Sequence, residues 1–121
     1  MNTARKTSIS STQKGQAAEN AALCYFEQQG LRLVERNFST RLGEIDLIMW
    51  HQQTLVFIEV RQRSNPQFGG AVASISLAKQ NKLWKTAQLY LQRFSTLPAC
   101  RFDLLAINGL EMEWLKNFIS R

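Results

Sequence analysis

Asp46 and Glu59 each sit inside an apolar run, Ile45 to Ile48 and Phe57 to Val60, where an ionised carboxylate is expensive to bury without a partner. The runs Glu44–Trp50 and Leu55–Gln62 are rich in Ile, Val and Phe and read as strands. The short polar connection His51-Gln52-Gln53-Thr54 makes them an antiparallel hairpin. A turn centred between Gln52 and Gln53 sets Asp46 opposite Glu59 and Glu44 opposite Arg61. Opposed residues share a face, and alternate residues of one strand share it too, so the four charged groups are expected to converge. Directly opposed carboxylates repel, and the arrangement makes sense when something positive lies between them. Arg61 supplies part of that charge, and a hard divalent cation, Mg²⁺ or Mn²⁺, would take oxygen ligands from both acids. The competing reading is a polar sheet face that meets solvent, with Glu59 and Arg61 as a surface ion pair.

A third acid comes from the first helix. Glu19 falls in the middle of the stripe formed by Ala22, Leu23 and Phe26, so it needs a partner, and the hairpin cluster is the candidate. Gln80 holds the same odd position on a later helix, amid Leu83, Trp84, Ala87 and Leu91. Lys79, Lys82 and Lys85 fall on that helix's other face, either as solvated surface or as a phosphate-binding rim. His51 is expected in the hairpin turn and exposed. Gly69-Gly70 lacks the Lys-Ser/Thr of a phosphate loop, and no set of zinc ligands is present. Cys24 and Cys100 lie in apolar segments and are expected to be buried as small core residues.

The elements that must position these groups can be read in order. Residues 1–12 form a flexible Ser/Thr-rich lead-in, and residues 13–121 one domain. Ser10 and Gln13 have capping-box spacing, and Gly30 ends the first helix. Leu31–Phe38 precedes the hairpin as a strand. Asn65-Pro66 and Gly69-Gly70 mark a loop, and Ser76 caps a helix that runs to about Arg93. Cys100–Ile107 is a fourth strand, and Asn108-Gly109 turns into a short last one near Glu111–Leu115. The expected class is α/β, a mixed β-sheet flanked by helices in the order α-β-β-β-α-β-(β).

Charge indicates a partner. The chain of 121 residues carries a net +6, and residues 60–101 hold seven bases and no acid. Such a block is a plausible phosphate-binding surface, so nucleic acid is the expected partner. An anionic membrane is the weaker reading, since no helix pairs lysines with a Trp/Phe face. No apolar run approaches the ~18 residues that span a bilayer. The polar, basic N-terminus has no apolar stretch resembling a signal peptide, which makes the cytoplasm the expected compartment.

Gly43-Glu44-Ile45-Asp46-Leu47-Ile48 followed by Phe57-Ile58-Glu59-Val60-Arg61-Gln62-Arg63 resembles the G-E-I-D-L-I … F-V-E-V-K-x-R pattern of the bacterial YraN-type family. That family is similar to archaeal Holliday-junction resolvases and to nucleases with a restriction-endonuclease-like core. Gly15-x-x-x-Glu19, Phe68-Gly69-Gly70, Lys79-Gln80 and Cys100-Arg101-Phe102-Asp103 also match, so the resemblance spans roughly Lys14 to Asn108. It implies a restriction-endonuclease-like fold and a Mg²⁺-dependent endonuclease acting on DNA, branched or Holliday-junction DNA included. Asp46 and Glu59 would ligate the metal, helped by the Val60 carbonyl. Glu19 would complete the acidic pocket, and Gln80 would orient a phosphate or another site residue. Arg61 stands where the family pattern has lysine; it stays protonated, which suits it to stabilising phosphate charge. Lys14, Arg41, Arg63, Lys79, Lys82 and Lys85 would contact nucleic acid. Resolvase-like relatives suggest a symmetric homodimer. Two rivals remain open: a non-catalytic nucleic-acid-binding or adaptor module that keeps the fold, and a basic assembly protein for structured RNA.

Overall fold

A computed structural model describes residues 11–62 and 74–119, with side chains from Gly15 onward in the first helix. The elements are α1 (Ser11–Gln28), β1 (Arg32–Thr40), β2 (Gly43–His51), β3 (Thr54–Gln62), α2 (Leu77–Leu91), β4 (Ala99–Asn108) and β5 (Glu111–Leu115). The sheet order follows the chain, β1-β2-β3-β4-β5. β3 and β4 pair in parallel across the α2 connection, and the other neighbours are antiparallel. The chain is therefore α/β with a five-stranded mixed sheet and two helices, in the expected order.

Local chemistry fixes the ends. Gly30 adopts φ +93° and Leu31 N–H donates to Phe26 C=O at 3.0 Å, closing α1 as a glycine stop does. The Ser76 hydroxyl accepts from Lys79 N–H at 3.1 Å and starts α2. Gln52, with φ +58°, opens the two-residue turn between β2 and β3, and Gly109, φ +64°, does the same between β4 and β5. That last turn therefore centres on Gly109-Leu110, one residue later than expected.

Alternation along β3 builds two cores. Val56 and Ile58 join Ala18, Ala22 and Phe26 of α1, whereas Leu55 and Phe57 join Leu83, Ala87 and Tyr90 of α2. The helices thus cover opposite faces. β2 obeys the same rule from Leu47 to Trp50 and then breaks it. Leu47 packs with α1 and Ile45 with α2, although residues two apart in a regular strand share a face. The neighbouring strand breaks in step. Arg36, paired with Leu47, reaches Glu19 of α1, while Phe38, paired with Ile45, packs on Tyr90 of α2 at 5.1 Å. Asn37 and Asp46 occupy the switch, and Asn37 has φ +52°, a left-handed backbone that asparagine tolerates better than most residues.

Two expectations about the periphery are corrected. Cys24 and Cys100 are both exposed: each lies in an apolar stretch but on the solvent side of its element. His51 belongs to the end of β2, half-buried, with Nδ1 2.7 Å from Arg101 and its ring against Trp114. No helix among the described residues is long and apolar enough to cross a membrane.

Candidate metal centre

The expected hairpin register holds from His51↔Thr54 to Leu47↔Ile58 and ends there. Asp46 and Glu59 are not a ladder pair, and neither are Glu44 and Arg61. The face switch at Asp46 parts the two strands, and Asp46 Oδ2 fills the opening by accepting Val60 N–H at 2.8 Å. It is the Val60 amide, not its carbonyl, that meets the acid. Asp46 opens into a cavity of about 130 Å³ lined by Gly15, Ala18, Glu19, Val60 and Gln62, on the α1 side. Glu59, buried, points to the α2 side, where Lys79 Nζ lies 3.6 Å from its Oε2. The carboxyl groups therefore meet through the opening between the strands rather than side by side on one face.

They do meet. Burial first, then the charge of Glu59, and further off Glu19 and Glu44, push the Asp46 carboxyl up to about 7, against the pull of the Val60 amide. Burial also raises Glu59, offset by Lys79, by Arg61 and by a hydrogen bond from Asp46. Both carboxyls are thus raised together, and the pair holds on to a proton as closely placed carboxyls do.

The other expected site residues divide. Glu19 is buried and lines the Asp46 cavity, yet its charge is met by Arg36 Nη2 at 3.3 Å. Sequence reading passed over Arg36, although a signal existed: an acid on a helix's apolar face demands a base, and residues 15–59 contain only Arg32, Arg36 and Arg41. Arg61 turns away to the start of α2, giving Nε to Ser74 Oγ at 3.2 Å and Nη2 to the Ser74 carbonyl at 2.6 Å. Gln80 Nε2 donates to the Ile75 carbonyl at 3.1 Å and so braces the same turn. Glu44 is exposed. Lys79, expected on the outer face of that helix with Lys82 and Lys85, instead reaches Glu59. Lys82, Lys85 and Arg41 are exposed; Arg63, Phe68-Gly69-Gly70 and the Lys14 side chain lie outside what the structure describes.

The basic block also proves less uniform than its sequence. Arg61 and Lys79 are engaged as above, Arg93 pairs with Glu35 at 3.4 Å, and Arg101 with the fully buried Asp103 at 3.0 Å. Glu59 and Glu35, both distant in sequence, are folded back onto Lys79 and Arg93.

The donors suit a small hard cation. Among the described residues no group of three or more His, Cys, Asp or Glu is placed to hold a metal. Mg²⁺, however, is commonly held by one or two carboxylates and keeps several waters. Two carboxyls forced to share a proton carry the negative charge that such an ion relieves.

Fold and site together define a class, an α/β domain in which a half-buried and a buried carboxyl meet where the central strands part. The chain belongs to a particular family within it: the model described as "Uncharacterised protein family UPF0102" matches residues 18–107. It is 58% identical over 106 residues to a UPF0102 protein of Janthinobacterium sp. (strain Marseille), covering 88% of this chain and 86% of the relative. It is 50% identical over 109 residues to one of Psychromonas ingrahamii, covering 88% and 89%. A third, of Shewanella loihica, is 49% identical over 111 residues, covering 92% and 97%.

Proposed function

We propose that this chain is a metal-dependent phosphodiesterase acting on DNA, branched DNA included. The observation that carries the reading is the Asp46–Glu59 pair, two acids whose burial and contact are unfavourable without a cation. Asp46 and Glu59 would hold Mg²⁺ or Mn²⁺. Bound there, the ion would supply Lewis acidity toward a phosphodiester and a nucleophilic water. The Val60 amide fixes the Asp46 carboxylate, leaving its other oxygen for the ion. Glu19, pinned by Arg36, closes the α1 side of the cavity and can accept a hydrogen bond from a water there. Exposed Lys82 and Lys85 would attract the DNA backbone.

The contact of Arg61 with Ser74 favours a second reading, a nucleic-acid-binding module without cleavage, because it commits the strand's own cation to the α2 turn. Incubating the protein with labelled linear and four-way DNA and either cation separates the two. The nuclease reading expects cleavage that Asp46→Asn and Glu59→Gln each reduce by at least ~10²-fold while DNA binding in EDTA persists. Binding by the wild type without cleavage in any cation would instead establish the module.

A further inference from the structure

Lys79 is in an unfavourable place for an ordinary surface lysine. It lies in the first turn of α2, where the helix dipole disfavours positive charge, and that turn holds no acid to offset it. What compensates it is Glu59, 3.6 Å away on β3. Two cations act on Glu59, and they differ in freedom. Arg61 is held by two hydrogen bonds to Ser74, whereas the Lys79 side chain is 42% exposed on a flexible stem. A divalent ion held between Asp46 and Glu59 would do for Glu59 what the ammonium does in its absence.

We propose that Lys79 is the exchangeable cation of this site: it neutralises Glu59 in the cation-free protein, yields that carboxylate when the ion binds, and turns its ammonium to a DNA phosphate. The proposal rests on the nuclease reading and assigns Lys79, rather than Arg61, as the side chain that touches the reacting phosphate. The positive charge needed at the phosphate is thereby supplied from α2.

Lysine ammonium groups labelled as ¹³C-dimethyl derivatives give a readout independent of activity, with Lys79→Arg identifying the signal. Adding Mg²⁺ to the full chain should move the Lys79 resonance while those of Lys82 and Lys85 stay in place, and Glu59→Gln should abolish the movement. In cleavage assays Lys79→Ala should lower kcat about 100-fold with KM within threefold, a loss typical of removing one charge-stabilising donor. Lys79→Arg should recover at least a tenfold part of it. A protein that binds Mg²⁺ and cuts DNA while Lys79 stays unmoved, or while Lys79→Ala cuts like the wild type, overturns this proposal and leaves the nuclease reading standing. A wild type that neither binds the ion nor cuts overturns both.

Discussion

Asp46 keeps its proton to about pH 7 because its charge would be buried beside that of Glu59, and this has consequences in both directions of linkage. The ordinary value is 3.8, so between that pH and about 7 the folded protein holds a proton that the unfolded chain has released. The metal-free fold therefore loses stability as pH rises through that window. Asp46→Asn, which keeps an oxygen for the Val60 amide, should raise Tm at pH 8 by roughly 4 °C and leave it unchanged at pH 4, as read by thermal melts in EDTA. Cation binding must expel the same proton. Mn²⁺ affinity measured by calorimetry should rise by up to about tenfold per pH unit below 7 and level off above it. An affinity indifferent to pH from 5.5 to 8 would remove Asp46 from the ligand set. At this scale the sequence singled out Asp46 and Glu59, which the fold brings close together, because carboxylates within Ile/Leu/Val runs stand out. It did not disclose Arg36 or Lys79 as their neighbours, since those contacts depend on how α1 and α2 lie across the sheet.

The paired break in β1 and β2 is the element that makes the site. Alternation read from sequence placed Glu44, Asp46, Glu59 and Arg61 on one face, and the register behind that reading is right as far as Leu47↔Ile58. Beyond it Ile45 and Phe38 swing to the α2 core together, a switch centred on Asn37 with its left-handed backbone. Nothing in a strand pattern reveals such a switch, because Ile45 and Leu47 are equally apolar and either face would accept them. Asn37→Val should cost about 1–2 kcal/mol in denaturant unfolding, since a β-branched residue resists that conformation, and Asn37→Gly should be tolerated. Gly43 adds a second constraint nearby: a Cβ there would lie 2.9 Å from Thr86 Oγ1 of α2. The close approach of β2 to α2 at Thr86 and Lys82 depends on the missing side chain. The end of α1 and the start of α2, by contrast, were legible from Gly30 and Ser76, whose capping chemistry is local, whereas α1 begins at Ser11, inside the expected lead-in.

At the scale of the molecule, the bases of residues 60–101 that the structure describes divide between different partners rather than pooling. Arg101 serves Asp103, which also accepts Trp114 Nε1 at 2.9 Å and Asn117 N–H at 2.9 Å and so ties β4 to β5 and the segment after it. Asp103→Ala should cost about 3–5 kcal/mol by leaving buried donors unpaired, measured by equilibrium unfolding. Exposed Lys82 and Lys85 remain available for phosphate, and replacing both with alanine should reduce the slope of log affinity against log salt by about 2. An unchanged slope would move the DNA surface off α2. All of this turns on whether the carboxyl pair is a cation site. Titrating Mn²⁺ into the wild type, Asp46→Asn and Glu59→Gln at pH 8 by calorimetry decides it. Saturable binding by the wild type and none by either variant is the expected result, whereas a wild type that binds no ion, or variants that bind as it does, would rule out the cation site.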